Sequence, residues 1–162
     1  MSIVELLERL QPDEYWFGGT YASADEPQQP RPLVASCTFL ADGRFFLLEG
    51  TYRYEARSTS HPFSVRLPVG TAGAPVCELR SSHTGTVSGP LFPVRGGYEL
   101  LLSASDGRAV SCHFEVDRVG RVSITGVVTC GDNRFAFLAE GASGPERQTL
   151  GNVVRVSGGH QA

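Results

Sequence analysis

Four tight-turn signals, Asp42-Gly43, Asp106-Gly107, Val119-Gly120 and Asp132-Asn133, interrupt runs of alternating apolar and polar residues, and the last three recur about every thirteen residues. Short turns rich in Asp, Asn and Gly have the backbone twist that joins neighbouring antiparallel strands. Runs of roughly ten residues between them leave no room for the helical crossovers that parallel strands need. The chain therefore reads as an up-and-down meander. Softer breaks at Ser58–Pro62, Gly70–Pro75, Gly89–Gly97 and Gly141–Glu146 raise the count to about eight to ten strands, a number at which an open twisted sheet tends to curl. Closure removes the exposed edges, so the expected fold is an all-β antiparallel barrel.

Ahead of the meander, Ile3, Leu6, Leu7 and Leu10 fall at helical spacing, and Ser2 with Glu5 forms a capping box, predicting a short helix over residues 2–10. Pro12 stops it. Glu14 to Tyr21 forms an aromatic first strand, followed by a proline-rich loop from Ser23 to Pro32. With 162 residues the chain suits one domain, expected over 1–157, with 158–162 as a frayed tail.

Charge narrows the partners. Lys+Arg total 14 against Asp+Glu 17, a net charge of −3, and the basic residues are scattered singly rather than in a stripe. Nucleic acid is not an expected partner. No apolar run approaches membrane-spanning length, and the first ten residues lack a basic n-region and a cleavage site, so no membrane contact and a cytoplasmic location are expected. Cys37, Cys77, Cys112 and Cys130 contain no C-x-x-C pair, which points to reduced, buried thiols rather than to a metal site.

Side chains alternate along a strand, so the uncharged face of each run should be the inner one. That test selects Phe46, Leu48, Tyr52 and Tyr54 between Arg44 and Glu55, because Glu49 and Arg53 take the other face. Reading Val76 to Ser88 as one strand, it selects Cys77, Leu79, Ser81 and His83. It then selects Tyr98 and Leu100, next Cys112 and Phe114, and finally Phe135 and Phe137. Such an interior is apolar with a few polar atoms, which suits a ligand pocket and equally a packed core with satisfied tyrosines.

His83 is the one histidine on an expected inner face, making it, with Tyr52 and Tyr54, the candidate for moving a proton or polarising a carbonyl. Phe46, Leu48, Tyr98, Leu100, Phe114, Phe135, Phe137 and Trp16 are the candidate ligand-lining residues. His61 and His160 fall in expected loops and His113 on an outer face. No nucleophile elbow, P-loop, dinucleotide fingerprint or H-E-x-x-H sequence occurs.

Gly19-Thr20-Tyr21, with Trp16 just before it and a short helix upstream, resembles the G-x-W start of lipocalin and wider calycin barrels. In those barrels a basic residue on the last strand packs over the aromatic, and Arg155 within Val153-Val154-Arg155-Val156 is placed to match it. The resemblance implies a small hydrophobic ligand inside the barrel, with the Ser23–Pro32 segment as a lid. Similar barrels include cofactor-free cyclases related in shape to allene oxide cyclase, and haem-binding barrels of the nitrobindin type. Three functions remain open: a carrier or sensor of a small molecule, a cyclase or isomerase acting by conformational restraint, and a module with a filled core. Apart from the haem variant none calls for a metal or cofactor, and each leaves room for a homodimer.

Overall fold

The computed structural model describes Glu5, Leu10 and residues 14–41, 45–54, 59–68 and 75–143. The strands in chain order are β1 (Glu14–Ser23), β2 (Arg31–Ala41), β3 (Phe45–Tyr54), β4 (His61–Pro68), β5 (Val76–Ser81), β6 (Gly85–Val94), β7 (Gly97–Ser103), β8 (Ala109–Val116), β9 (Val122–Cys130) and β10 (Asn133–Ala142). Each pairs antiparallel with its chain neighbours and β1 also pairs with β10, which closes the sheet. The expected all-β meander barrel is the observed one. The expected helix over 2–10, the Asp42-Gly43 turn, Arg155 and the 158–162 tail lie outside the described residues.

Glycine takes the positive φ that the turns require, at Gly107 (87°) and Gly120 (83°). In the last hairpin Cys130 pairs with Asn133, so the turn is Gly131-Asp132, one residue earlier than expected, and Gly131 supplies the φ of 60°. Two further boundaries differ from expectation. Val76–Ser88 is not one strand but a hairpin, β5 and β6, folded at Ser82-His83-Thr84. The Gly89–Gly97 break is instead mostly strand. The ladder skips Gly89 and Pro90 between the Ser88–Ser103 and Leu91–Leu100 pairs, because proline has no N–H to contribute.

The strands tilt steeply. A row of paired residues that starts at Leu40, near the C-terminal end of β2, crosses every other strand and finishes where the Ala24 N–H donates to the Arg134 carbonyl at 2.8 Å, just past the C-terminal end of β1. Ten strands with that stagger enclose a wider interior than an eight-stranded barrel, whose side chains fill it. The β1–β2, β3–β4, β5–β6, β7–β8 and β9–β10 connections gather at one end, the mouth, and the other connections lie at the base.

At the base the interior is packed. Tyr15, at 1% exposure, meets Phe39 edge-on at 5.1 Å, and Leu91, Tyr98, Leu100 and Val122 join the same cluster with Leu10. Cys37 and Cys77 are buried, and Cys112 packs against them as a core neighbour. Burial pushes all three thiols up to about 12, which keeps them protonated and unreactive.

Candidate functional site

β3 turns Tyr52 and Tyr54 inward because Glu49, Thr51 and Arg53 occupy the exposed face. On β4 the same parity sends His61, Phe63 and Val65 inward and leaves Arg66 outside. Ser81 pairs with Gly85 across a three-residue loop, and the 60° φ of Gly85 closes it. Inside that loop the Ser81 and Thr84 hydroxyls bond at 2.7 Å, and the Thr84 N–H donates to Ser81 Oγ at 3.1 Å.

This loop leans over the mouth rather than away from it. The Arg108 guanidinium, itself held by Asp106 at 2.7 Å, donates from Nη1 to the Thr84 carbonyl at 2.6 Å. From β9, Cys130 donates its S–H to the His83 carbonyl at 3.4 Å. His83 is thus carried across the opening, where its Nδ1 bonds with the Tyr52 hydroxyl. The His61 ring lies 4.7 Å from His83 and 5.3 Å from Tyr52, and its Nδ1 bonds with Ser82 Oγ at 3.3 Å. Tyr54 stands edge-on to His83 at 5.5 Å and meets Tyr21 of β1 at 4.6 Å.

Burial first, then the neighbouring Tyr52 and Tyr21 phenols and the Cys130 thiol, push the Tyr54 hydroxyl up to about 12. It stays a neutral donor at any ordinary pH. What results is a patch of phenols and imidazoles able to donate hydrogen bonds or relay a proton.

Beneath the cluster, inward Val87, Leu102 and Val110 of β6–β8 are packed, at 1%, 2% and 5% exposure, while Cys112 and Phe114 of β8 are half-buried. On the β2–β4 side the inward residues Ala35, Leu48, Phe63 and Val65 are only half-buried although they point to the centre of the barrel.

Tyr52, Tyr54 and His83, expected together, are together. His83 corrects the expectation in one respect: it sits exposed on a turn over the mouth, not on a strand face, because the hairpin folds at that point. Phe46 and Leu48 are inward and half-buried on β3, as are Phe135 and Phe137 on β10. Tyr98 and Leu100 are buried in the base, and Phe114 stacks on Tyr98 at 5.6 Å, so these three belong to the packed core. Trp16 is a correction. It is 37% exposed on the outer wall, because Tyr15 and Phe17 take the inner face opposite Cys37 and Ala35. His61 is the residue the sequence reading missed, placed in a loop when it opens β4. Tyr21, Ser82 and Cys130 join the site with it. His113 pairs with Glu115 at 3.0 Å on the outer wall, as its parity requires.

Two grooves open on the outside of the barrel. One, of about 620 Å³, runs under the β1–β2 loop past Pro27, Leu101, Val127 and Leu138; the other, of about 570 Å³, lies by Glu49, Pro62 and Arg80. Both are shallow; Tyr21 borders the first and Ser82 the second.

No family model matches the chain, and no curated protein matches it by sequence. Among solved structures it is similar to the S-type phycobiliprotein lyase from Guillardia theta, with a TM-score of 0.66 and 10% identity over 89% of this chain and 93% of that one. At that identity the likeness establishes the shared ten-strand barrel architecture and no more. Among the described residues no helix is long and apolar enough to cross a membrane.

Proposed function

We propose that this chain, a calycin-like barrel working in the cytoplasm, holds a small hydrophobic or amphipathic molecule in the lumen against β2–β4, as a carrier or sensor. The observation that carries this reading is the half-burial of inward Ala35, Leu48, Phe63 and Val65 beneath a polar mouth in a closed ten-stranded barrel. Apolar surface left facing an enclosed space is stabilised when a ligand displaces the water there. The fold neighbour is named as a lyase of phycobiliproteins, which is consistent with a barrel of this shape serving a small-molecule task.

Titration with N-phenyl-1-naphthylamine, a neutral dye whose emission rises in apolar surroundings, tests it. Saturable binding at one molecule per chain is expected, and Ala35→Trp, which projects an indole into the space between Phe17 and Tyr52, should abolish it while the β-sheet circular dichroism persists. Binding unaffected by Ala35→Trp would remove the lumen as the site.

A second reading is favoured by one contact. The hydrogen bond between the Tyr52 hydroxyl and His83 Nδ1 joins a proton donor to a base at the edge of the same space, as a cofactor-independent cyclase or isomerase would need. If a substrate is found, Tyr52→Phe should lower turnover by about 10² or more with little change in KM. An unchanged rate would leave the carrier reading alone.

A further inference from the structure

Charge divides the outer wall of the barrel. On β3–β5 it is charged throughout, with Glu49, Arg53, Arg66, Glu78 and Arg80 turned outward and the last two bonded at 2.8 Å. On either side of β10 it is not. The outward residues of β9 there are Ser123, Thr125, Val127 and Thr129, and those of β1 are Gly18, Thr20 and Ala22. Next around the wall, on β8, His113 and Glu115 bond to each other at 3.0 Å.

Within these three strands charge comes from β10 alone, and only near its ends. Its outward residues are Arg134, Ala136, Leu138 and Glu140, all exposed, while Phe135, Phe137 and Ala139 alternate inward. Leu138 is 52% exposed, and it adjoins Ala136, with Val127 and Ala22 on the two neighbouring strands. The groove of about 620 Å³ that these four help to line makes the wall recessed here. Monomeric proteins seldom expose contiguous apolar surface without a use for it.

The order of the stripe identifies the partner. From mouth to base it runs cation, apolar, apolar, anion, so its complement is its own reverse. Laid antiparallel on a second copy across a twofold axis beside Phe137, each Arg134 faces a Glu140 and each Ala136 faces a Leu138. The charges lie about 20 Å apart along the strand, which puts the ion pairs at the two rims and the apolar contact at the centre, as interfaces are built. Two sheets packed in the aligned manner sit about 10 Å apart and cross at about 30°, a gap the long arginine side chain can span. A contact of one patch with itself is the isologous kind that closes a dimer.

We infer that the chain forms a homodimer through the outward faces of β9, β10 and β1, with Arg134 of one protomer paired to Glu140 of the partner subunit at both rims. The inference is independent of the ligand reading, whose central residues lie on β3, β4 and the β5–β6 turn.

Sedimentation velocity of the full chain over a concentration series tests it. At about 100 μM, where an interface with a Kd of that value is half formed, the dimer is expected to be present. Leu138→Glu should leave only monomer, with the β-sheet circular dichroism kept because the position is exposed in the single chain. Arg134→Glu and Glu140→Arg each set like charges opposite one another at both rims, and each should raise the dimer Kd by about tenfold or more. Two rescues are specific to this pairing. The double substitution Arg134→Glu/Glu140→Arg reverses the stripe and should return the Kd to within about threefold of the parent. An equimolar mixture of the two single variants should sediment as a mixed dimer, since one then carries only acids and the other only arginines at these positions. A monomer at about 100 μM, a dimer that withstands Leu138→Glu, or single substitutions that leave the Kd unchanged or are not rescued would overturn the inference.

Discussion

Leu102→Ala and Leu48→Ala delete the same atoms from opposite walls of the barrel, so any difference in their cost reports what surrounds them. Leu102 is 2% exposed and packs among the core cluster, and removing its side chain leaves a cavity that the rigid β6–β8 wall cannot close. A loss of about 3 kcal/mol is expected there. Leu48 is half-buried and, on the proposed reading, borders the ligand space, so only the transfer cost of its partly covered surface is lost, about 1 kcal/mol. With a urea dependence near ~2 kcal/mol/M for a chain of this length, the midpoints should fall by about 1.5 M and about 0.5 M. Equilibrium urea unfolding followed by far-UV circular dichroism measures both. Enlargement should mirror the pattern, with Val65→Leu nearly neutral and Val110→Leu costing about 1–3 kcal/mol through overpacking. Equal losses for the two leucines, at unchanged slopes, would mean that both walls face a filled core and that no lumen exists.

Gly126→Ala should destabilise the barrel by about 1–3 kcal/mol in the same assay, since a Cβ there would stand 2.5 Å from the Ser111 carbonyl and 2.8 Å from Phe137 Cζ. Stability should fall as the solution is made alkaline. The folded Cys37, Cys77 and Cys112 thiols and the Tyr54 phenol are raised from 9.0 and 10.0 to about 12, so the unfolded chain loses those protons first and the folded state weakens through that window. Thermal unfolding between pH 8 and pH 11 checks the sign, and a rising Tm would refute it. Arg108→Met should release the β5–β6 turn, read as faster amide hydrogen exchange at His83 and Thr84 with β7 unchanged. Iodide should quench Trp16 fluorescence readily, and protection from iodide would return the indole to the lumen.

Much of the fold was legible because charge and parity agree on most strands. Glu49 and Arg53 mark the outer face of β3, and Glu99 and Glu115 do so for β7 and β8, leaving Tyr52, Leu100 and Phe114 no other direction. The same test was available on β1, where Glu14 shares its face with Trp16; family resemblance drew Trp16 inward against the parity of its own strand. His61 was legible in principle, since it alternates with Phe63 and Val65 and opposes Arg66, but Pro62 beside it reads as a break. Ser82-His83-Thr84 carries no glycine and no Asn, so the hairpin it makes looks like uninterrupted strand, and only Gly85 marks it. The stagger that brings His61, His83 and Tyr52 to one end had no local signature, because stagger is a property of the closed sheet.

Methyl resonances of the folded protein, recorded as N-phenyl-1-naphthylamine is added, ask most directly where a guest molecule sits. Shifts concentrated on Leu48 and Val65, with Leu102 and Val110 little moved, are the expected result. Shifts confined to Leu101, Val127 and Leu138 would place the guest in the outer groove and contradict the lumen site.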